Sequence, residues 1–189
     1  MSNRIALIAL TLAVALAVPA RADEAAARTA LRAGGHVALM RHTDAPGGTG
    51  DPPGFKLEDC ATQRNLSDKG RAEAAQIGAR LKAEGISFEK ILASPWCRCM
   101  DTARLLEMGA VAPAPTFSNV VVLHDQIETL TEGARALIAD WEGAGTLLVV
   151  THGANIRALT GISPATGEIV VVDKAVDGSI EPVGRVPPP

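Results

Sequence analysis

The chain has 189 residues, in which 18 lysines and arginines face 21 aspartates and glutamates, with four histidines and three cysteines. A net charge of -3 and an aromatic content of 3% carry neither the basic stripe nor the interleaved aromatics of a nucleic-acid binder. A hydrophobic content of 47% is enough for the core of one domain, and no repeat of solenoid period runs through the chain.

In chain order, residues 1–22 read as a signal peptide. Arg4 and the amino terminus give a weakly positive start, Ile5 to Val18 are apolar and uncharged, and Ala20-Arg21-Ala22 forms a small-x-small cleavage site before Asp23. The apolar run falls short of the roughly 20 residues that a spanning helix wants, so no stable membrane insertion is expected once it is cleaved. An uncleaved anchor and a buried first helix are the alternatives. The mature protein is expected in the periplasm or outside the cell.

Asp23 to Ala33 predicts a helix stopped by Gly34-Gly35, and His36 to Met40 a first strand. Thr43 to Asn65 is rich in glycine and proline and too long for a simple connection, which marks it as a functional or disordered loop. Ser67 can cap a helix that Gly85 closes. Phe88 to Ser94 predicts a short strand, and Pro95 fits the first turn of the helix in "PWCRCMDTARLLE". Val120 to Leu123 reads as a third strand, and Ile127 to Trp141 as a helix with Ile127, Leu130, Ala134, Leu137, Ile138 and Trp141 on its apolar face. The strand Leu147 to Val150 precedes a helix ending at Gly161, and Ile169 to Val172 is the last strand. One domain, 23–173, is followed by a Pro-containing tail, 174–189, expected to be flexible.

Export allows the three cysteines to form disulfides, and an odd count leaves one unpaired. Cys60 lies in the long loop, whereas Cys97 and Cys99 share one helical turn. A bridge from Cys60 to Cys97 is preferred; the alternative is three reduced thiols with Cys99 buried in the core.

Strands alternating with helices predict an α/β layered fold with a largely parallel sheet, whose ligands bind outside the carboxyl ends of the strands. Those ends deliver Arg41 with His42, Arg98 one turn into a helix, and His152. Two arginines and two histidines repel a metal cation and suit a phosphate, because the guanidinium fork matches phosphate oxygens and keeps its charge. Within that positive field a histidine stays neutral and can attack phosphorus, provided its other ring N–H is held.

"LMRHTDA", "LSDKGRAEA", "ASPWCRCMDTA" and "VVTHGANIRAL" resemble, in the same order, four segments of the histidine phosphatase superfamily, the phosphoglycerate mutase-like fold. The resemblance implies a three-layer α/β/α sandwich and a metal-independent phosphatase without cofactors. A phosphomonoester or phosphohistidine-type substrate would be hydrolysed through a phosphohistidine on His42, with Arg41 and Arg98 binding phosphate and His152 acting as phosphate ligand and transition-state stabiliser. Asp125, in "VVVLHDQIE" after the Thr102-Ala103 pair, is the candidate general acid, with Glu128 as runner-up and a solvated carboxylate as the plain alternative. Members that cleave phosphohistidine can lack such an acid. Thr43 replaces the usual glycine after the Arg-His pair, and the loop bearing Asp44 and Asp51 maps onto no family function; these carboxylates could repel substrates, orient Arg41 or face water. His36, Arg71, Arg80 and Arg104 are read as structural or surface residues. A phosphomutase of the same family, a phospho-ligand binding domain without catalysis, and a metal-dependent hydrolase built on His42, His152, His124 and Asp125 are the competing functions. An envelope phosphoester is a conceivable substrate by family analogy.

Overall fold

Side chains alternate in direction along a strand, so a sheet buried on both faces needs apolar residues in both registers. Strand β1 (Val37–Arg41) meets that demand: Val37 and Leu39 pack into one core cluster, and Ala38 and Met40 into another. The computed structural model describes residues 19–175 and 179–189, with side chains from Asp23 onward. The signal segment expected over 1–22 therefore lies outside the described residues up to position 18, and helix α1 (Pro19–Ala33) begins within its last residues.

The remaining elements are α2 (Asp68–Ala83), β2 (Lys90–Ala93), α3 (Cys97–Leu105), β3 (Val111–Pro113), α4 (Ile127–Ala139), β4 (Leu147–Thr151), α5 (Gly153–Thr160), β5 (Ile169–Lys174) and β6 (Ile180–Val186). The sheet order is β3-β2-β4-β1-β5-β6; the first four strands are parallel, and β5 runs antiparallel to β1 and to β6. Helices α1, α2 and α3 cover one face through Leu31, Ile77, Leu81 and Ala103, while α4 and α5 cover the other through Ala134, Ile138, Ile156 and Leu159. This is the expected three-layer α/β/α sandwich. Among the described residues no helix is long and apolar enough to cross a membrane.

Two expectations are corrected. Val120 to Leu123 is a turn, in which the N–H groups of Val122 and Leu123 both donate to the Asn119 carbonyl at 3.1 and 2.9 Å. Asn155 of α5 ties this turn down by donating to the Ser118 carbonyl at 2.7 Å. The third parallel strand is instead β3, whose Pro113 is tolerated because it lies on the sheet edge. The tail from residue 174, expected to be flexible, carries β6, which pairs with β5 and buries Ile180 and Val186. Pro182 sits at the register shift near Val172, so the missing N–H is accommodated at a bulge.

Smaller differences follow from capping and packing. Helix α3 starts at Cys97 with Trp96 as its N-cap residue, which leaves Pro95 before the first turn. Helix α4 buries Ala134 and Ile138 but leaves Ile127 exposed, and it ends before Trp141. Ser67 caps α2 as expected, its hydroxyl accepting from Gly70 N–H at 2.9 Å. Glycine is required at position 70, where a Cβ would lie 2.1 Å from the Asp44 carbonyl oxygen.

Candidate active site

Adjacent parallel strands bring consecutive polar residues to one edge. Arg41 pairs in register with Thr151, and the next residue, His42, donates its backbone N–H to the Thr151 carbonyl at 3.0 Å. His152 follows on β4, and Ser94 follows β2, its N–H donating to the Val150 carbonyl at 2.8 Å. Arg41, His42 and His152 thus reach one cavity of about 310 Å³ beyond the carboxyl ends of β1 and β4.

The His42 ring is buried, with Nδ1 2.8 Å from the Thr43 carbonyl oxygen. A carbonyl can only accept, so Nδ1 carries the proton and Nε2 keeps its lone pair in a ring that lines the cavity. Burial lowers the His42 pKa to about 3; the Thr43 carbonyl opposes this, while the charges of Arg98, Arg64 and Arg41 add to it. The imidazole is therefore neutral at ordinary pH.

His152 is also buried, 5.6 Å from His42 between ring centroids. Its Nδ1 faces Arg98 Nη2 at 3.4 Å, and its Nε2 lies 2.9 Å from Ser94 Oγ. Arginine only donates, so Nδ1 accepts and the proton resides on Nε2. Burial, then Arg98, hold the His152 pKa well below the ordinary histidine value. Trp96 stands edge-on to the same ring at 5.6 Å and fixes its plane.

Arg41 donates from Nη1 to the Pro164 carbonyl at 2.9 Å, and its buried Nε has no partner. Gly153 lets the start of α5 approach this side chain, since a Cβ there would lie 3.2 Å from Arg41 Cδ. Arg98 is placed differently from the expectation of a phosphate contact. It is fully buried beneath the cavity, with its fork on Asp51 at 2.7 and 3.3 Å. Asp51 also accepts from Trp96 Nε1 at 2.9 Å and from the Arg64 backbone N–H at 3.0 Å. Burial opposes ionisation of Asp51, but these donors and the Arg98 charge prevail and hold its pKa below the usual carboxylate value.

The long loop is thereby part of the site. Its Gly48, Thr49, Gly50 and Arg64 line the cavity, and a disulfide between Cys60 and Cys97 fastens it to α3. Gln63 reinforces that junction by accepting from the Cys97 N–H at 3.0 Å. Cys99 is free and buried, and burial pushes its thiol up to about 12, so it remains protonated beside His152.

Asp125 lies in the exposed 3-10 turn His124–Gln126, and Glu128 in the exposed first turn of α4; neither lines the cavity. Among the described residues the cavity has no carboxylate in its lining. His124 and Asp125 also stay apart from His42 and His152, and among the described residues no three His, Cys, Asp or Glu side chains are grouped to hold a metal. Arg64, Arg157, Asn119 and Val121 join the lining without having been singled out in the sequence. The signal for Arg157 is its spacing of four residues from Gly153, which places both on one face of α5.

The sequence profile of the histidine phosphatase superfamily (branch 1) matches residues 37–116. No curated protein matches the chain significantly by sequence. Among solved structures, the protein histidine phosphatase SixA complexed with tungstate aligns at a TM-score of 0.57 and 20% identity, over 81% of this chain and 97% of that one. The product of the open reading frame Rv3214 from Mycobacterium tuberculosis aligns at 0.60 and 17%, over 78% and 94%. The mycobacterial glucosyl-3-phosphoglycerate phosphatase Rv2419c aligns at 0.57 and 17%, over 76% and 92%. At these identities the likeness is one of fold.

Proposed function

We propose that this chain is an exported phosphatase working through a phosphohistidine on His42. The observation that carries the reading is the His42 ring, whose Nδ1–H is held by the Thr43 carbonyl while a neutral Nε2 lines a cavity walled by Arg41, Arg64 and Arg157. In the first step the Nε2 lone pair forms a bond to phosphorus, and the bond from phosphorus to the leaving group breaks, its electron pair leaving with that group. Water then attacks the same phosphorus, the P–Nε2 bond breaks, and inorganic phosphate is released with His42 restored. Arg41 neutralises the equatorial oxygens, and the start of α5 adds backbone N–H groups. His152 supplies an N–H donor to the phosphoryl group by exchanging its Ser94 bond. Arg98 acts from beneath by holding His152.

The absence of a carboxylate from the described lining favours leaving groups that need no protein acid. A phosphohistidine-type substrate fits, since its imidazole can leave already protonated, and so does a phosphate ester of an acidic alcohol. The likeness in fold to SixA, a protein histidine phosphatase, points the same way. Export is supported by the Cys60–Cys97 bridge, because disulfides persist in oxidising compartments.

The test is hydrolysis of an aryl phosphate by the mature protein in excess chelator, with His42→Ala alongside. Chelator-resistant turnover that vanishes in the variant is expected, with a 32P label on His42 trapped by acid-free denaturation. Turnover that survives His42→Ala would refute the nucleophile, and phosphate binding without turnover in the wild type would leave a phospho-ligand binding domain.

A further inference from the structure

The segment 50–64 has little structure of its own beyond the 3-10 turn Cys60–Thr62 and an isolated bridge between Lys56 and Asp59, so its course is fixed by what it is tied to. Among the described residues, every hydrogen bond, ion pair and disulfide that leaves this segment for the helices and strands ends on Trp96, Cys97 or Arg98. Asp51 accepts from Trp96 and from the Arg98 fork, the Arg64 carbonyl accepts from Arg98 Nη1 at 3.2 Å, and Gln63 accepts from the Cys97 N–H. Cys60 is bonded to Cys97 in the middle of this row.

The row that anchors the loop is also the row that holds His152. Arg98 Nη2 faces its Nδ1 at 3.4 Å, and Trp96 stands edge-on to its ring. On the loop side, Gly50 and Arg64 wall the cavity. The bridge is the covalent member of the set. The others are hydrogen bonds, whose net gain is small against the conformational freedom that an untethered segment regains. The bridge is also within reach of solvent, because Cys60 is exposed while Cys97 is buried.

We infer that the Cys60–Cys97 bridge is a site of thiol–disulfide exchange that controls the catalytic centre. With the bridge closed, His152 is held and the cavity is walled; with it open, both are loosened, so turnover rises when the chain is oxidised and falls when it is reduced. The inference rests on the phosphatase reading for the activity that is controlled. A thiolate of a small dithiol attacks Sγ of Cys60, the bond between Cys60 and Cys97 breaks, and its electron pair stays on the Cys97 sulfur, which takes up a proton. The second thiol of the reductant then attacks the mixed disulfide, Cys60 leaves as its thiol, and the reductant closes into its own disulfide, having given up two electrons. Cys97 suits the leaving role as the first residue of α3, where a helix N-terminus favours a thiolate. Cys99, fully buried, takes no part.

The mature protein is titrated with dithiothreitol, and thiols counted under denaturing conditions, far-UV circular dichroism, aryl phosphate turnover and binding of inorganic phosphate are followed together. The thiol count should rise from the single free Cys99 to all three cysteines while the dichroism is retained. Displacing a catalytic group by about 1 Å can cost on the order of 100-fold, so kcat should fall by about 10- to 100-fold and return on reoxidation. Cys60→Ser with Cys97→Ser should turn over at the reduced rate, with or without dithiothreitol. A reduced protein or a double variant as active as the oxidised wild type overturns the inference. So does a loss of turnover that only keeps pace with the loss of dichroism, since the bridge would then be a stabiliser and nothing more. An oxidised wild type without turnover overturns the phosphatase reading instead. Phosphate binding then decides the control: binding at least tenfold weaker in the reduced form upholds it, and equal binding or none in either form overturns it.

Discussion

Replacing Asp51 by asparagine removes one charge and leaves the shape. In the wild type both side chains of the Asp51–Arg98 pair are fully buried, and the carboxylate accepts four donors: two from Arg98, one from Trp96 and one from the Arg64 backbone. Removing one partner of a buried pair strands the other charge, which typically costs about 3–5 kcal/mol. Asparagine keeps one acceptor oxygen, so the lower end applies, about 3 kcal/mol. For a domain of this size 1 kcal/mol moves Tm by about 2–4 °C, which predicts a fall of about 6–12 °C in thermal unfolding followed by circular dichroism. Turnover should fall as well, because Arg98 and Trp96 are what orient His152. The double variant Asp51→Asn with Arg98→Met should recover part of the lost stability by removing the stranded cation. A Tm within about 2 °C of wild type, or effects of the two substitutions that simply add, would refute the reasoning. The pH dependence carries the same sign: with its pKa held low, Asp51 stabilises the fold above the ordinary carboxylate pKa, and that contribution is lost as pH falls through its folded value.

Reduction of the Cys60–Cys97 bridge, which closes 37 residues of sequence separation, should destabilise by roughly 4 kcal/mol on the chain-entropy estimate, and Cys60→Ser with Cys97→Ser should lose turnover more steeply than secondary structure. His42 has a pKa near 3 in the fold against 6.5 unfolded, so between those values the unfolded chain binds a proton that the native one refuses. Stability should therefore drop as pH falls below 6.5, by of order 1 kcal/mol per pH unit, measurable by urea unfolding. Gly70→Ala would press a methyl group onto the Asp44 carbonyl and is expected to lower Tm by at least several degrees, as seen by calorimetry. Asp125→Asn should leave aryl phosphate turnover within about twofold, since the side chain stands outside the cavity; a loss of tenfold or more would restore it as an acid.

The central strands were legible because Val37–Met40 and Leu147–Val150 are apolar in both registers and end abruptly in polar residues. The disulfide was legible as a staple from the long loop to the helix that carries Cys97 and Cys99, and the preferred partner, Cys97, is the one that Cys60 joins. What misled was chemistry that overrides local pattern. Val120 to Val122 have strand-like side chains, yet Asn119 and Asn155 provide turn hydrogen bonds that a β-branched run does not announce. Strand β3 hides behind Pro113, which the sheet edge excuses. The site was legible wherever a residue closes a strand, as with Arg41, His42 and His152. Asp51 and Arg64 were not, because a glycine-rich loop has no period from which the direction of its side chains can be read.

The hydrogen bond from His42 N–H to the Thr151 carbonyl makes the two histidines successive rungs on neighbouring rails. The separation of their backbones is thus set by the spacing of parallel strands and behaves as a fixed ruler. Such a division of labour separates two kinds of heritable change. Substitutions in the segments 45–50, 119–123 and 157–164 can retune which molecule fits the cavity without altering the reach from His42 to His152. Substitutions in the ladder would alter the rate for every molecule alike. A lineage built on this frame can explore new substrates one loop at a time, keeping its reaction intact throughout.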